Sequence, residues 1–300
     1  MAVPPFFTRS ERFAVVGSTN DVVRDWLAAG TAEVCLAVAD EQSAGRGREA
    51  RRWVAPPGAG LLLSLGFRPT WLAPDRAWRL AAAVALAIAD AAEEVAGLRD
   101  GSVRLKWPND LVLEERVGPG SLAATRGGTD APGGRVVRKL GGVLGESDGL
   151  GGPDPRVVVG LGLNADWARV DFPAELAGSM TSLREASGGR PIDRDALLEA
   201  FLGRLEARVL ALRGGAFDVA GWHARQLTTG RTVRLEVAGE AVEALAVGVD
   251  GTSGALLVRD PATGGERAVL AGEVTHVRLA DPPASLDAAP AGPAVAGSGV

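Results

Sequence analysis

The only two lysines of this 300-residue chain, Lys106 and Lys139, stand against thirty arginines, and each opens a block of residues fit for chemistry. Lys106 begins Lys106-Trp107-Pro108-Asn109-Asp110, and Lys139 begins Lys139-Leu140-Gly141-Gly142-Val143-Leu144-Gly145. Lysine is a compact charge on a flexible stem and arginine a planar fork, so the two are not equivalent where reach matters. A third block runs Gln42-Ser43-Ala44-Gly45-Arg46-Gly47-Arg48-Glu49-Ala50-Arg51-Arg52-Trp53, with four arginines in seven positions among glycines. Guanidinium forks and backbone N–H groups in one mobile loop suit a phosphate, whose charge-assisted hydrogen bonds contribute about 1.5–3 kcal/mol each. A solvated loop, or an RNA-binding Arg-Gly stretch, is the competing reading. The three asparagines, Asn20, Asn109 and Asn164, and Gln42 also fall in turns marked by Gly, Ser or Thr.

Several chemistries are excluded. No Gly-x4-Gly-Lys-Ser/Thr block occurs, and no Gly-x-Gly-x-x-Gly follows a strand, so a nucleotide must be held another way. The two histidines, His223 and His276, both lie in the last third and support neither a zinc site nor a Ser-His-Asp triad; they read as structural or surface residues. A net charge of -5 and a pI near 5.3 argue against nucleic acid as the main partner. The single cysteine, Cys35, sits in the apolar run Val34 to Val38 and reads as a small buried hydrophobe, so no disulfide framework exists within the chain. The N-terminus lacks a secretory pattern, and the longest apolar run, Leu80 to Ala89, is about half of a membrane span. A soluble, cytoplasmic protein is expected.

These groups need a scaffold. Ser18-Thr19-Asn20 precedes a helix over Asp21 to Leu27 that Gly30 ends. Val34 to Ala39 and Leu61 to Phe67 read as strands around an Arg/Gly-rich loop, followed by a long Ala-rich helix from Asp75 to Val95. Val103 to Lys106 and Leu111 to Leu113 flank the Trp-Pro-Asn-Asp turn, and strands follow over Lys139 to Gly145 and Arg156 to Leu163. A helix over Asp193 to Leu212 turns Leu198, Phe201, Leu202, Leu205, Val209 and Leu212 to one side. The texture changes near Gln226 to short β-rich runs over residues 232–237, 242–249, 255–259, 268–270 and 274–278, spaced as in a small antiparallel barrel. This gives a larger domain over 1–225 with a flexible insertion near 115–135, a small β domain over 226–279, and a disordered tail over 280–300. From Thr228 onward no Phe, Trp or Tyr occurs, which counts against a base-stacking surface there.

Together the blocks carry a resemblance. Gly45-Arg46-Gly47-Arg48, Arg51 and Trp53; Lys106 to Asp110; Lys139 to Leu144; and Val158-Val159-Gly160-Leu161-Gly162-Leu163-Asn164 follow Ser18-Thr19-Asn20 in the order seen in biotin protein ligases. The chain resembles that family over about residues 10 to 278. The resemblance implies an α+β fold. A mixed β-sheet catalytic domain flanked by helices, like that of class II aminoacyl-tRNA synthetases, would carry a small SH3-like β-barrel at its C-terminal end. It also implies an activity: ATP activates biotin to biotinyl-5′-AMP, and the biotinyl group passes to a lysine of a biotin carboxyl carrier domain, as in acetyl-CoA carboxylase. ATP with Mg²⁺ would be the cofactor and biotin the substrate. No nucleic acid or membrane is expected as partner, and the protein would be a monomer or weak dimer.

By the same resemblance Lys139 and Arg48 are the catalytic candidates, Lys139 bridging the biotin carboxylate and the phosphate. Ser18, Thr19, Asn20 and Gln42 would face the ureido ring, with Gly45, Arg46, Gly47, Arg48, Lys139 and Gly142 completing the biotin site. Arg46, Arg48, Arg51, Trp53, Lys106, Asn109, Asp110 and Asn164 would meet ATP or the adenylate, with Asp110 touching ATP-borne magnesium. Ser18 doubles as a helix cap, Asn109 and Asp110 as turn residues, and Trp53 reads equally as an adenine platform or a core residue. Gly160 and Gly162 would allow close backbone approach. Two features depart from the family: Ala50 replaces a usual glycine, which matters where φ is positive, and the Asp110–Lys139 spacing is long. The chain has no room for a helix-turn-helix before Phe13, so a DNA-binding repressor is not expected. A lipoate- or octanoate-protein ligase and a non-catalytic biotin-binding regulator are the rivals.

Overall fold

The computed structural model describes residues 6–116, 135–237, 240–260, 262–271 and 274–279. The low-complexity stretch from Gly118 to Gly134 and the tail over 280–300 lie outside these residues. Seven strands form a mixed sheet: β1 (Arg9–Val16), β2 (Cys35–Gln42), β3 (Gly60–Phe67), β4 (Arg104–Lys106), β5 (Asp110–Arg116), β6 (Arg135–Asp148) and β7 (Arg156–Asn164). Their order is β1-β2-β3-β7-β6-β5-β4. Only β1 and β2 pair in parallel; every other pair is antiparallel. β1 escapes a hydropathy reading because it is an edge strand whose residues are mostly exposed.

Period-two alternation gives the sheet two unlike faces. Leu61, Leu63, Leu65 and Phe67 of β3, with Val159, Leu161 and Leu163 of β7, pack against helices α2 (Trp78–Ala96) and α4 (Arg194–Arg213). The opposite face carries small residues, with Ser64 paired to Gly160 and Gly142 paired to Gly162. Helix α1 (Thr19–Ala28) covers only part of that face, through Val23, Trp26 and Leu27 against Cys35 and Ala37. A slot therefore stays open beside α1.

Several expected boundaries shift. Ser18 occupies the N-cap of α1 without a side-chain cap bond, and the helix begins at Thr19 rather than Asp21. Residues 74–76 form a 3₁₀ turn, so α2 begins at Trp78; it ends on Gly97, whose φ of +61° makes the left-handed cap. On α4 Leu197 joins Phe201, Leu205, Val209 and Leu212 as buried residues, whereas Leu198 and Leu202 are only partly covered. Two short helices, α3 (Leu183–Ala186) and α5 (Val219–Ala224), are too brief to show a sequence period.

A second, antiparallel sheet holds β8 (Thr232–Val237), β9 (Glu240–Val249), β10 (Leu256–Arg259), β11 (Glu266–Val269) and β12 (Val274–Leu279), in the order β11-β10-β9-β8-β12. β11 and β12 are consecutive in sequence yet sit at opposite edges. Five residue steps reach at most ~18 Å, while four strand spacings in a flat sheet need about 19 Å, so the sheet must curl, as a barrel does. Its turn at 250–254 docks on the first unit: Trp78 Nε1 donates to Thr252 O at 3.0 Å, Arg79 to Gly251 O at 2.9 Å and Trp107 Nε1 to Gly254 O at 3.0 Å. Between the units, Leu105 N donates to Arg225 O and Leu227 N to Leu105 O, so residues 225–227 still border the first sheet. No described helix is long and apolar enough to cross a membrane.

Candidate active site

One irregularity decides which residues of β6 face the slot. The register between β5 and β6 pairs Leu111 with Gly141 and Val112 with Lys139, passing over Leu140. That bulge switches the alternation. Leu140 and Val143 both enter the core, while Lys139 and Gly142 both line a cleft of about 410 Å³.

At one end of the cleft the groups are neutral and polar. Ser18, Thr19 and Asn20 are almost wholly buried at the start of α1. Thr19 N donates to Gln42 Oε1 at 2.8 Å, and the Thr19 hydroxyl lies 3.1 Å from the same oxygen. Ser64 Oγ lies 2.7 Å from Thr19 Oγ1 and 2.5 Å from Asn20 Oδ1, and Asn20 Nδ2 donates to Glu146 Oε2 at 2.9 Å. A Cβ on Gly160 would come within 2.2 Å of Asn20 Oδ1, so only glycine leaves room for this amide.

At the other end the groups are charged. Lys139 Nζ is 2.5 Å from Asp110 Oδ1, and Lys106 Nζ is 3.8 Å from Asp110 Oδ2. Burial pushes the Lys106 ammonium below its ordinary range, Lys139 and Arg51 add to this, and Asp110 opposes it. Asn109 lines the cleft and also braces the turn: its Nδ2 donates to Val143 O at 3.1 Å, and Val143 N returns a bond to Asn109 O at 2.9 Å. Val112, Val137, Leu176 and Met180 supply apolar wall nearby. The segment carrying Leu176 and Met180 is pinned to β6, with Lys139 N donating to Ser179 O and Thr181 N to Lys139 O.

The arginine-rich loop is a roof, and it is a hairpin rather than an irregular loop. Trp53 N donates to Gly45 O, Gly47 N to Arg51 O and Arg51 N to Arg48 O. Glu49 and Ala50 at its tip have φ of 53° and 55°, the conformation of a type I′ turn. Gly45 lies outside the cleft lining, and a Cβ there would meet Trp53 O at 2.5 Å, so its part is to close the hairpin. Gly47 lines the cleft. The arginines diverge. Arg46 pairs with Asp21 at 2.7 Å and Glu146 at 3.4 Å, Arg52 folds back on Ser43 O, and Arg48 Nη2 reaches Ala271 O, between β11 and β12, at 2.6 Å. Burial depresses the Arg48 guanidinium, which also feels Arg51.

Trp53 forms part of the cleft wall on the Gly162 backbone, where a Cβ would meet the indole at 2.7 Å, and Lys139 Nζ lies 5.7 Å from its ring centroid. Its Nε1 is buried without a hydrogen-bond partner among the described residues. Asn164 falls outside the lining: it is fully buried, its Nδ2 donates to Thr181 O, and its Oδ1 has no partner among the described residues. Glu146 and Ser64 escaped the sequence reading. Ser64 had a signal, being the one polar residue in Leu61-Leu62-Leu63-Ser64-Leu65.

A cleft with a neutral hydrogen-bonding end, a cationic end and a glycine floor is the arrangement the sequence blocks imply. Residues 13–164 match the family model described as the biotin/lipoate A/B protein ligase family. The chain belongs to that family. Among its ligases, the biotin--[acetyl-CoA-carboxylase] ligase of Mycobacterium tuberculosis is 33% identical over 270 residues, 88% of either chain. The ligase of the same name from Paracoccus denitrificans is 29% identical over 256 residues, 83% of this chain and 92% of that one. In fold the chain is similar to the biotin protein ligase of Aquifex aeolicus in complex with biotin and ATP, with a TM-score of 0.69 over 91% of this chain and all of that one at 24% identity.

Proposed function

We propose that this family member is an ATP-dependent biotin–protein ligase that acts through biotinyl-5′-AMP. One observation carries the reading: in an acidic protein, Asp110 is the only carboxylate among the lining residues of a cleft end shared by Lys106, Lys139, Arg48 and Arg51. Two anions can meet there. The biotin carboxylate would attack the α-phosphorus of ATP, forming the new P–O bond as the bond to the β-phosphate oxygen breaks and pyrophosphate leaves. Fixed cations aimed at the charge gathering on the phosphoryl oxygens lower that barrier. Lys139 suits the position between carboxylate and phosphate, and Arg48 and Arg51 reach the phosphoryl oxygens from the hairpin. In the second half-reaction a neutral acceptor lysine attacks the acyl carbon, the bond to AMP breaks, and the nitrogen loses a proton.

The polar end favours biotin over lipoate or octanoate. A dithiolane or alkyl tail would leave Asn20, Thr19 and Gln42 facing carbon, whereas a urea brings a carbonyl oxygen that amide N–H groups can meet. Trp53, with its open Nε1, and the apolar wall of Val112, Val137, Leu176 and Met180 fit the adenine side. Asn164, with its open Oδ1, supports that side from behind. No group of three or more metal-ligating side chains occurs among the described residues. Asp110 alone fits a magnesium ion that arrives on the triphosphate, since Mg²⁺ keeps waters and phosphate oxygens as most of its ligands. When bound, the ion would neutralise the leaving pyrophosphate. The acceptor would be the carrier domain of a biotin-dependent carboxylase. ATP–pyrophosphate exchange with biotin, lipoate and octanoate offered separately tests this reading. Exchange with biotin alone is expected, and exchange with lipoate or octanoate in its place would overturn the substrate.

A further inference from the structure

The two side-chain amides at the neutral end of the cleft are each fixed in orientation by a partner that cannot change roles. A backbone N–H only donates, so the Gln42 oxygen must face Thr19 N, 2.8 Å away. A carboxylate only accepts, so the Asn20 nitrogen must face Glu146 Oε2, 2.9 Å away. Ser64, wholly buried in β3, completes the order. Its hydroxyl lies 2.5 Å from Asn20 Oδ1 and 2.7 Å from Thr19 Oγ1. Its one proton, given to Asn20 Oδ1, leaves the single Thr19 hydroxyl proton to be shared between Ser64 Oγ and Gln42 Oε1, and Gln42 Oε1 keeps its bond from Thr19 N in either case. Asn20 Oδ1 is closed off by Ser64 on one side and by the Gly160 backbone on the other.

We infer that Glu146 is a positioning residue that sets the hydrogen-bond polarity of this end of the cleft. With Asn20 held by Ser64 and Glu146, its second Nδ2 hydrogen is what it can offer a ligand. With Gln42 Oε1 held by Thr19, Gln42 also offers Nε2. Both amides present donors, so the ring they meet must bring an acceptor such as a carbonyl oxygen. Glu146 also carries Arg24 at 2.6 Å and Arg46 at 3.4 Å, which tie the same carboxylate to α1 and to the roof hairpin. The carboxylate is accessible from solvent, so its replacement does not cut into the core. This inference rests on the biotin reading of the cleft, because it specifies how that end selects its ring.

The test compares Glu146→Gln with wild type by pyrophosphate exchange, using biotin and its guanidino analogue. At neutral pH that analogue carries N–H where biotin carries the carbonyl oxygen. Wild type should use biotin and discriminate strongly against the analogue. In Glu146→Gln the partner of Asn20 can donate or accept, so the Asn20 amide is free to turn. Biotin KM should then rise about tenfold with kcat little changed, the pattern of lost ground-state binding, and the biotin-to-analogue ratio should narrow. Loss of negative charge alone would instead widen that ratio against a cation. Arg24→Gln removes an ion pair of Glu146 without touching Asn20 and should leave both values unchanged. An unchanged or wider ratio in Glu146→Gln, or an equal KM rise in Arg24→Gln, overturns the inference while the ligase reading stands. No biotin-dependent exchange by wild type overturns both.

Discussion

Lys139 is held by Asp110, with Nζ 2.5 Å from Oδ1, at the point where the β6 bulge turns the lysine into the cleft. The carboxylate is the counter-ion that an arriving phosphate would exchange for. The space around this ammonium is narrow: a Cβ on Gly142 would lie 3.5 Å from Nζ. An arginine would keep the charge but needs room for a planar fork. We expect Lys139→Arg to lower the exchange rate by about 10²–10³, the scale of one lost transition-state donor, with little change in thermal stability. Exchange at the wild-type rate would remove Lys139 from its assigned role.

Arg48 joins the roof hairpin to the segment between β11 and β12 through Ala271 O. Its replacement by alanine therefore has two consequences. In the proposed reaction a charge aimed at the phosphoryl group is lost, which should cost about 10²–10³ in rate. The hairpin also loses one of its ties, the bond to Ala271 O, so the reactive adenylate should escape more readily and label bystander lysines. A lysine-rich protein added to the assay and analysed by mass spectrometry would report that leak. Slower exchange with full adenylate retention would show that Arg48 contributes charge but not closure.

Two glycines two residues apart should separate the ends of the cleft. A Cβ at Gly160 invades Asn20, whereas a Cβ at Gly162 invades the Trp53 indole. Gly160→Ala should raise biotin KM by about tenfold through one displaced hydrogen-bonding group, with ATP KM nearly constant. Gly162→Ala should do the reverse. If both variants raise both constants alike, the division into a ring end and a nucleotide end fails.

The functional blocks were legible because each is dense in residue types with narrow uses: scarce lysines, an Arg-Gly run, glycines inside a strand. Strands such as β3, β7 and β10 follow hydropathy because each buries a face. What was hidden depends on pairing. Nothing in Lys139-Leu140-Gly141-Gly142 announces that Leu140 is passed over, yet that bulge is what brings Lys139 and Gly142 to one side. Glu146 looks like an ordinary strand-end charge until β6 and α1 are brought together, and only the fold shows that Arg46, which lines the cleft, also pairs with Asp21 and Glu146. The sequence also does not show that one Nδ2 bond of Asn109 goes to Val143 O and one of Asn164 to Thr181 O.

Ala50, where the family usually has glycine, occupies the left-handed region at φ 55°, beside Glu49 at 53°. A non-glycine residue there costs about 1–2 kcal/mol. Ala50→Gly should relieve most of this within the hairpin, partly offset by glycine's extra freedom in the unfolded chain. Limited proteolysis of the hairpin should slow, and thermal stability should hold or rise slightly. Faster cleavage at residues 48–51 would mean that the alanine restrains the tip more than it strains it.

Cys35 offers a readout of the packing of α1 against the sheet, and the sign of its pH effect can be worked out. The thiol is fully buried among Val23, Leu27 and Ala37, and burial lifts it to about 11 from an ordinary 9.0. Between these values the unfolded chain releases a proton that the folded chain keeps. Stability must therefore fall as pH rises through that window, by at most about 3 kcal/mol once both forms are ionised. Lys106 acts in the opposite sense, because burial lowers its ammonium: the folded chain gives up that proton first, and stability rises with pH below the unfolded lysine range. Subtracting a Cys35→Ala series removes the lysine and every other shared group. Urea unfolding from pH 8 to 10.5 should then show wild type losing stability relative to Cys35→Ala with a midpoint above pH 9. Parallel curves would mean that the thiol meets water in the folded protein and that α1 does not seal against β2.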